Sequence, residues 1–175
     1  SATPGIAVEP KSGRYESLER SVVAGGGRLA PVEEADALVW ADPAVPHELP
    51  TVLARSRHVR WVALPFAGIE PYVGFLDHDH DRTWTCARAV YARPVAEHVL
   101  AMGLAGMRGL LTYSRASTWS APEGRNLLDG RVVIFGAGGI TTELLALLRP
   151  FGVHTTVIRR QADEPMAGAD RPVAL

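Results

Sequence analysis

The sequence lacks features that several large classes of protein require. It has a single cysteine, Cys86, among 175 residues, and its 18 basic residues nearly balance its 19 acidic ones. A lone cysteine cannot form an intramolecular disulfide, so a disulfide-stabilised scaffold is excluded. A net charge of −1 provides no basic excess for binding nucleic acid or an anionic membrane. We therefore expect partners that are small molecules or other proteins.

Long hydrophobic runs are also missing. No uninterrupted apolar stretch approaches the ~18 residues that span a bilayer, and the first residues do not join a basic segment to an apolar one as secretory signals do. The sequence has no internal repeat and no low-complexity segment. These absences predict a cytoplasmic globular protein, and an apolar content of 47% is enough for a sizeable core.

Short apolar runs alternate with amphipathic stretches over residues 1–93. This alternation predicts strands and helices in turn, and hence an α/β domain with a parallel sheet. We expect a flavodoxin-like arrangement of five strands. The expected strands include 6–8, 37–40, 59–64 and 83–87, and the expected helices are 15–23 and 49–54.

One turn in this domain is a candidate ligand site. The strand 59–64 leads directly into Pro65-Phe66-Ala67-Gly68, which would lie at its carboxyl end. Ligands of open α/β sheets bind at the carboxyl ends of the strands. The turn is therefore a candidate substrate-binding site.

A helical periodicity begins at Pro94. The predicted helix is apolar nearly all round, whereas a helix at a protein surface shows a single apolar stripe. We therefore expect other elements or another chain to bury it, and Gly103 and Gly106 would allow a second helix to approach closely. We place the start of a second domain here, covering residues 94–175.

Strand, glycine turn and helix follow one another from Arg131 onward. The run Arg131–Phe135 precedes Gly136-Ala137-Gly138-Gly139-Ile140-Thr141, and a helical pattern continues through Leu148. In a dinucleotide-binding fingerprint the first glycine permits a tight turn, the second lets the backbone approach a pyrophosphate, and the helix N-terminus presents free N–H groups. A second strand at 153–158 completes a βαβ unit. The alternative is a tight turn that binds nothing.

Thr141 departs from this fingerprint, whose third position is normally Gly or Ala. That small residue lets the helix pack close to the strand. We expect the branched side chain to push the helix outward or to force a local shift, and so to weaken cofactor binding.

Two arginines, Arg159 and Arg160, follow the second strand of the unit. An acidic residue at this place would accept hydrogen bonds from a ribose 2′-hydroxyl, whereas a guanidinium donates charge-assisted hydrogen bonds to a 2′-phosphate. The pair predicts a preference for NADP(H), with NAD(H) as the other possible cofactor. The alternative is a pair of solvated arginines at a strand end.

Three further features have a functional and a structural interpretation. Cys86 could be a nucleophile, although a buried structural thiol fits its strand pattern better. The segment Asp77-His78-Asp79-His80-Asp81 could ligate a metal, but an extended loop directs successive side chains apart, so we expect a solvated loop without metal. Glu97 and His98 could be an acid/base pair, yet neighbouring helical residues do not face each other, which favours helix-end charge for Glu97 and packing for His98.

Several blocks together resemble the D-2-hydroxyacid dehydrogenase family, which includes phosphoglycerate and glyoxylate/hydroxypyruvate reductases. The blocks, in family order, are 59–70, 94–101, Trp119 and 128–140. The resemblance implies a flavodoxin-like substrate domain followed by a Rossmann dinucleotide-binding domain. It also implies an NAD(P)H-dependent oxidoreductase that interconverts a 2-oxo acid and a D-2-hydroxy acid.

The resemblance assigns roles to residues of this chain. The backbone amides of Ala67 and Gly68 would bind the substrate carboxylate, and the helix from Pro94 would pair with a second copy in a homodimer. Cofactor binding would involve six residues: Gly136, Gly138, Gly139, Ile140, Arg159 and Arg160.

The family's catalytic Arg, Glu and His come from a later segment of the Rossmann domain, so no catalytic residue is assigned here. We expect this chain to be part of a longer NADP(H)-preferring enzyme and to be inactive by itself. The alternative is a non-catalytic nucleotide-binding or sensing module, as in the corepressor branch of the family.

Overall fold

The computed structural model describes residues 3–161 and 164–174. The chain folds as two units, Ser1–Arg88 and Ala89–Leu175. Both are built from parallel strands with helices between them, which confirms the predicted α/β class.

The first unit contains a parallel five-stranded sheet. Its strands are β1 (Gly5–Glu9), β2 (Arg28–Leu29), β3 (Ala37–Trp40), β4 (Trp61–Leu64) and β5 (Thr83–Cys86). They lie in the order β2-β1-β3-β4-β5, which is the order of the flavodoxin-like fold. Ile6 pairs with Ala37, and Ala37 in turn pairs with Trp61, so the register is continuous across the middle of the sheet.

Three helices accompany this sheet: α1 (Tyr15–Ala24), α2 (Leu49–Ala54) and α3 (Val73–Leu76). Short 3₁₀ segments lie at Val32–Glu34, Pro46–Glu48 and Glu70–Tyr72. The core lies over the central strands, where Leu38, Trp40 and Val62 have no exposed surface. Strands buried on both faces need near-continuous apolar runs, as β3 has.

The second unit contains a three-stranded parallel sheet in the order β6-β7-β8. Its elements are α4 (Ala92–Met107), α5 (Leu110–Tyr113), β6 (Arg131–Phe135), α6 (Gly139–Leu148), β7 (His154–Arg159) and β8 (Arg171–Ala174). A 3₁₀ turn, Arg149–Phe151, connects α6 to β7. The unit thus begins like a Rossmann domain, with strand, glycine turn, helix and parallel strand in that order.

One face of this sheet is covered and the other is open. Helices α4 and α6 pack together over Val132 and Ile134, with Ala96 fully buried between them. The alternate residues of β6, Val133 and Phe135, are 56% and 74% exposed. Successive side chains of a strand point to opposite faces, so β6 presents a second apolar face that the described residues leave uncovered.

Helix α4 begins two residues before Pro94 and is buried on one side only within its unit. Val95, Val99 and Met102, three or four residues apart, form an exposed apolar stripe, which we call the α4 stripe. Burial of this side, as the sequence predicts, would require elements outside this unit or another chain. Among the described residues, no helix has both the length and the hydropathy needed to cross a membrane.

Candidate functional site

The glycine turn between β6 and α6 has the backbone conformation that the fingerprint requires. Gly136 follows the last residue of β6 and adopts a φ of +96°, which side-chain-bearing residues rarely tolerate. Its amide donates a hydrogen bond to the carbonyl of Ile158 at 2.8 Å. The turn is therefore attached to the neighbouring strand β7 at the carboxyl end of the sheet.

The backbone beyond this turn is open to another molecule. Gly138 precedes α6 in an extended conformation, with φ −83° and ψ −175°. A methyl group added at Gly136 or at Gly138 would meet nothing within 4 Å, whereas one at Gly139 would touch Ala92 at 3.5 Å. The space above Gly136 and Gly138 can therefore accommodate a ligand, while Gly139 faces α4. Ile140, 44% exposed, lies in the first turn of α6.

Thr141 is buried and has a hydrogen-bond partner in the structure. Its side chain is 6% exposed, and its hydroxyl donates a hydrogen bond to the carbonyl of Gly136 at 2.8 Å. The buried hydroxyl of Thr141 therefore has a hydrogen-bond partner, and this hydrogen bond connects α6 to the turn. The expected weakening of cofactor binding stays a prediction.

Arg159 ends β7, and Arg160 follows it as an exposed residue. The side chain of Arg159 is 18% exposed and forms an ion pair with Glu164, with 2.9 Å between Nη2 and Oε2. The carbonyl of Ile158 accepts the hydrogen bond from the Gly136 amide, and Arg159 is the next residue along β7. The structure therefore places the predicted pyrophosphate and 2′-phosphate residues at the ends of two adjacent strands.

The predicted substrate residues Ala67 and Gly68 lie in an exposed turn after β4. The amide of Ala87 donates to the carbonyl of Phe66 at 3.2 Å, which ties the turn to the end of β5. Within the described part of the chain, neither the Ala67 nor the Gly68 amide donates a hydrogen bond to the protein. Two exposed amides in one turn can bind a carboxylate.

Sequence analysis missed Arg14, which the structure brings to this turn. Its guanidinium lies 5.0 Å from the centre of the Phe66 ring. The residue precedes α1, just after β1, and the central strands of a parallel sheet end at one edge. An arginine shortly after the first strand could have been predicted to face that edge on this ground alone.

The segment that carries Arg14 is fixed by Asp42, which follows β3. The carboxylate of Asp42 accepts hydrogen bonds from the Ala44 amide at 2.9 Å and from the Ser12 hydroxyl at 2.8 Å. These two hydrogen bonds, the amide first, lower the pKa of Asp42. The Arg14 amide also donates to the carbonyl of Ala41 at 3.3 Å. The loops after β1 and β3 are therefore joined beside the candidate substrate turn.

Two of the remaining candidates lie in other segments of the two units. In the segment 77–81, Asp79 pairs with Arg82 and the His78 ring is 2.9 Å from the carbonyl of Gly74. Among the described residues, no group of three or more His, Cys, Asp or Glu is placed to hold a metal. Glu97 and His98 are both exposed on α4.

No family model matches the chain. A curated protein of Corynebacterium melassecola, described as an uncharacterised protein in the proB 3′ region, is 32% identical over 163 residues. The match covers 89% of this chain and 52% of the relative, so the chain spans about half the length of that relative.

Solved structures give the more informative comparison. A D-isomer-specific 2-hydroxyacid dehydrogenase family protein of Aeromonas salmonicida matches with a TM-score of 0.75 and 20% identity, covering 99% of this chain and 59% of that one. The chain has the fold of the D-isomer-specific 2-hydroxyacid dehydrogenases. This likeness confirms, for the fold, the resemblance drawn from the sequence.

Two further dehydrogenase structures contain a cofactor. That of Xanthobacter autotrophicus Py2, in complex with NADPH and MES, has a TM-score of 0.74 and 18% identity, covering 99% of this chain and 58% of that one. An NADPH-dependent glyoxylate/hydroxypyruvate reductase of Sinorhizobium meliloti, in complex with NADP and sulfate, has a TM-score of 0.72 and 17% identity, covering 98% and 57%. The chain thus spans less than two thirds of each of these dehydrogenases.

Proposed function

We propose that this chain provides the substrate domain and the first part of the nucleotide-binding domain of an NADP(H)-dependent oxidoreductase that interconverts 2-oxo acids and D-2-hydroxy acids. The observation that carries the proposal is the turn after β6, in which Gly136 has a φ of +96° and the backbone at Gly138 is open. When bound, the dinucleotide would supply the hydride that reduces the carbonyl carbon of the 2-oxo acid.

The cofactor would be held at two neighbouring points. The glycine turn and the first amides of α6, including those of Gly139 and Ile140, would bind the pyrophosphate. Arg159, with Arg160 as a second donor, would bind the 2′-phosphate that distinguishes NADP(H) from NAD(H). The NADPH and NADP complexes of two dehydrogenases with this fold support the choice of cofactor. NAD(H) is the second candidate.

The substrate would bind at the turn after β4. The amides of Ala67 and Gly68 would receive the carboxylate, and the Arg14 guanidinium beside Phe66 would add positive charge. The reductase of Sinorhizobium meliloti, named for glyoxylate and hydroxypyruvate, supports a small 2-oxo acid.

Catalysis is proposed for the longer protein. The family resemblance gives the proton donor and the substrate-binding arginine to a later segment than any matched here. We therefore expect residues 1–175 alone to bind ligands without oxidising NADPH in the presence of glyoxylate or hydroxypyruvate.

A homodimer through α4 is also proposed. The exposed α4 stripe of Val95, Val99 and Met102 supports this, because pairing with a second copy would remove these apolar side chains from water.

The nucleotide site can be tested with Gly138. Its extended backbone suits any residue, so alanine or valine should fold normally while occupying the space proposed for the pyrophosphate. We expect Gly138→Ala to weaken NADPH binding about tenfold, and Gly138→Val to weaken it further, in a fluorescence titration of the full-length protein.

The matched control is Gly74→Ala. A methyl group at Gly74 also meets nothing within 4 Å, and Gly74 belongs to the other unit, away from the nucleotide turn in the sequence. It should bind NADPH as the wild type does. Unchanged binding in both Gly138 variants would contradict the proposed function.

A further inference from the structure

The guanidinium of Arg159 is already bound by an acidic residue of its own chain. Nη2 of Arg159 donates to Oε2 of Glu164 at 2.9 Å, and Nη1 lies 3.5 Å from the main-chain carbonyl oxygen of the same residue. The Arg159 side chain is 18% exposed, whereas that of Glu164 is 61% exposed. The buried partner is therefore the arginine, and the acid approaches it from the solvent side.

A carboxylate and a phosphate monoester are alternative ligands for one guanidinium. Both present oxygen atoms spaced to accept parallel hydrogen bonds from its planar N–H groups. They cannot share the same donors, and two anions held close together repel each other. A 2′-phosphate that reaches Arg159 must therefore replace the Glu164 carboxylate or bind against its repulsion.

We propose that Glu164 is a specificity-determining residue that competes with the 2′-phosphate for Arg159 and thereby reduces the preference for NADPH over NADH. The proposal rests on the proposed function, specifically on the role of Arg159. NADH lacks the phosphate, so its binding does not require Glu164 to move. Glu164 thus lowers the affinity for NADPH and leaves the affinity for NADH unchanged.

A purely structural role for the ion pair would give a different result. A pair with one partner largely exposed contributes little to stability. Glu164→Gln keeps the size of the side chain and one acceptor oxygen but removes the charge. If the pair only held the segment after β7 in place, this variant would change the affinity for both cofactors equally.

The expected effect concerns ligands with a 2′-phosphate. Glu164→Gln should increase affinity for NADPH and for adenosine 2′,5′-bisphosphate by about three- to tenfold, given the solvent exposure of the acid. Affinity for NADH and for ADP should stay within about twofold. The gain should shrink as the salt concentration rises, because it comes from removing a charge.

Calorimetric titrations of the full-length protein test this with four ligands and four variants: Glu164→Gln, Glu123→Gln, Arg159→Gln and the Arg159→Gln/Glu164→Gln double variant. Glu123→Gln is the matched control, because it removes the same charge from an exposed loop of the same unit. Glu164→Gln is also made in an Arg159→Gln background, where no competition for the guanidinium remains and the gain should vanish.

Each outcome decides the proposal. A gain confined to the 2′-phosphorylated ligands and absent without Arg159 supports it. An equal gain for all four ligands, no gain, or a loss of NADH affinity overturns it while leaving nucleotide binding established. If the folded wild type binds neither NADPH nor NADH, the proposed function fails, and the role of Glu164 fails with it.

Discussion

The hydroxyl of Thr141 donates a hydrogen bond to the carbonyl of Gly136 at 2.8 Å, from the buried face of α6 to the turn that precedes it. This contact joins the third position of the glycine fingerprint to the first. A glycine or alanine at the third position has no hydroxyl with which to make it. The threonine therefore adds a hydrogen bond between the helix and the turn.

Two substitutions of Thr141 test the role of this hydrogen bond. Thr141→Val keeps the shape but removes the hydroxyl, so we expect the free energy of unfolding to fall by about 1 kcal/mol and both NADPH and NADH to bind more weakly. Thr141→Ser keeps the donor and should retain most of the affinity. Urea unfolding and nucleotide titration measure the two quantities. A valine variant as stable as the wild type would show that the hydrogen bond does not restrain the turn.

The α4 stripe is the surface through which we expect two copies of the protein to associate. Val99 is 43% exposed, so Val99→Arg should leave the fold intact while placing a charge in the proposed dimer contact. We expect the dimer dissociation constant to rise by about 100-fold or more in analytical ultracentrifugation. Ala101→Arg, exposed on another side of the same helix, is the control and should remain dimeric. A wild-type protein that is monomeric at all concentrations would eliminate this interface.

Arg14 is expected to contribute to substrate binding through its charge. Arg14→Gln should raise the KM for a 2-oxo acid by about three- to tenfold, a modest effect because the residue is exposed. The KM for the cofactor should not change. Arg20→Gln removes a charge from α1, the helix that Arg14 precedes, and serves as the control. Equal KM values for the two variants would remove Arg14 from the substrate site.

Asp170 should make the stability of the second unit dependent on pH. Its carboxylate accepts hydrogen bonds from the amide of Thr155 at 2.6 Å and from the hydroxyl of Thr155 at 2.8 Å, and these lower the pKa of Asp170. A pKa lower in the folded than in the unfolded chain stabilises the fold above the ordinary carboxyl pKa. That contribution is lost as the pH falls through the folded value.

Asp170→Asn should therefore lower the urea midpoint at neutral pH, and the difference from the wild type should disappear in strong acid. Asp81→Asn, in an exposed loop, is the control and should unfold as the wild type does. A constant difference between Asp170→Asn and the wild type at all pH values would mean that the effect does not depend on ionisation.

The sequence was sufficient to predict the longer elements. Apolar runs located the strands that became β3 and β4, and the glycine spacing located the turn before α6. The two-residue strand β2 and the four-residue helix α3 were missed, because each contains only about one period of its own pattern, and a periodicity is recognised only when it repeats.

The other features that the sequence did not predict depend on contacts between residues far apart in the chain. Strand β8 has only four residues, one of them a proline, and its pairing with β7 depends on the fold rather than on its own pattern. The approach of Arg14 to Phe66 depends in the same way on the order of β1, β3 and β4 in the sheet. The hydrogen bond from Thr141 to Gly136 was not predicted either, because it forms only once the turn is folded.

The hydrogen bond from the Gly136 amide to the Ile158 carbonyl limits which residues need to change when the cofactor preference is altered. It fixes the glycine turn and Arg159 at the ends of two paired strands, which in any sheet lie about 4.8 Å apart. The separation between these two points is then a property of the sheet, which side-chain substitutions at the strand ends leave intact. Redesign of the preference between NADPH and NADH can therefore be confined to Arg159, Arg160 and Glu164, with the pyrophosphate position held constant.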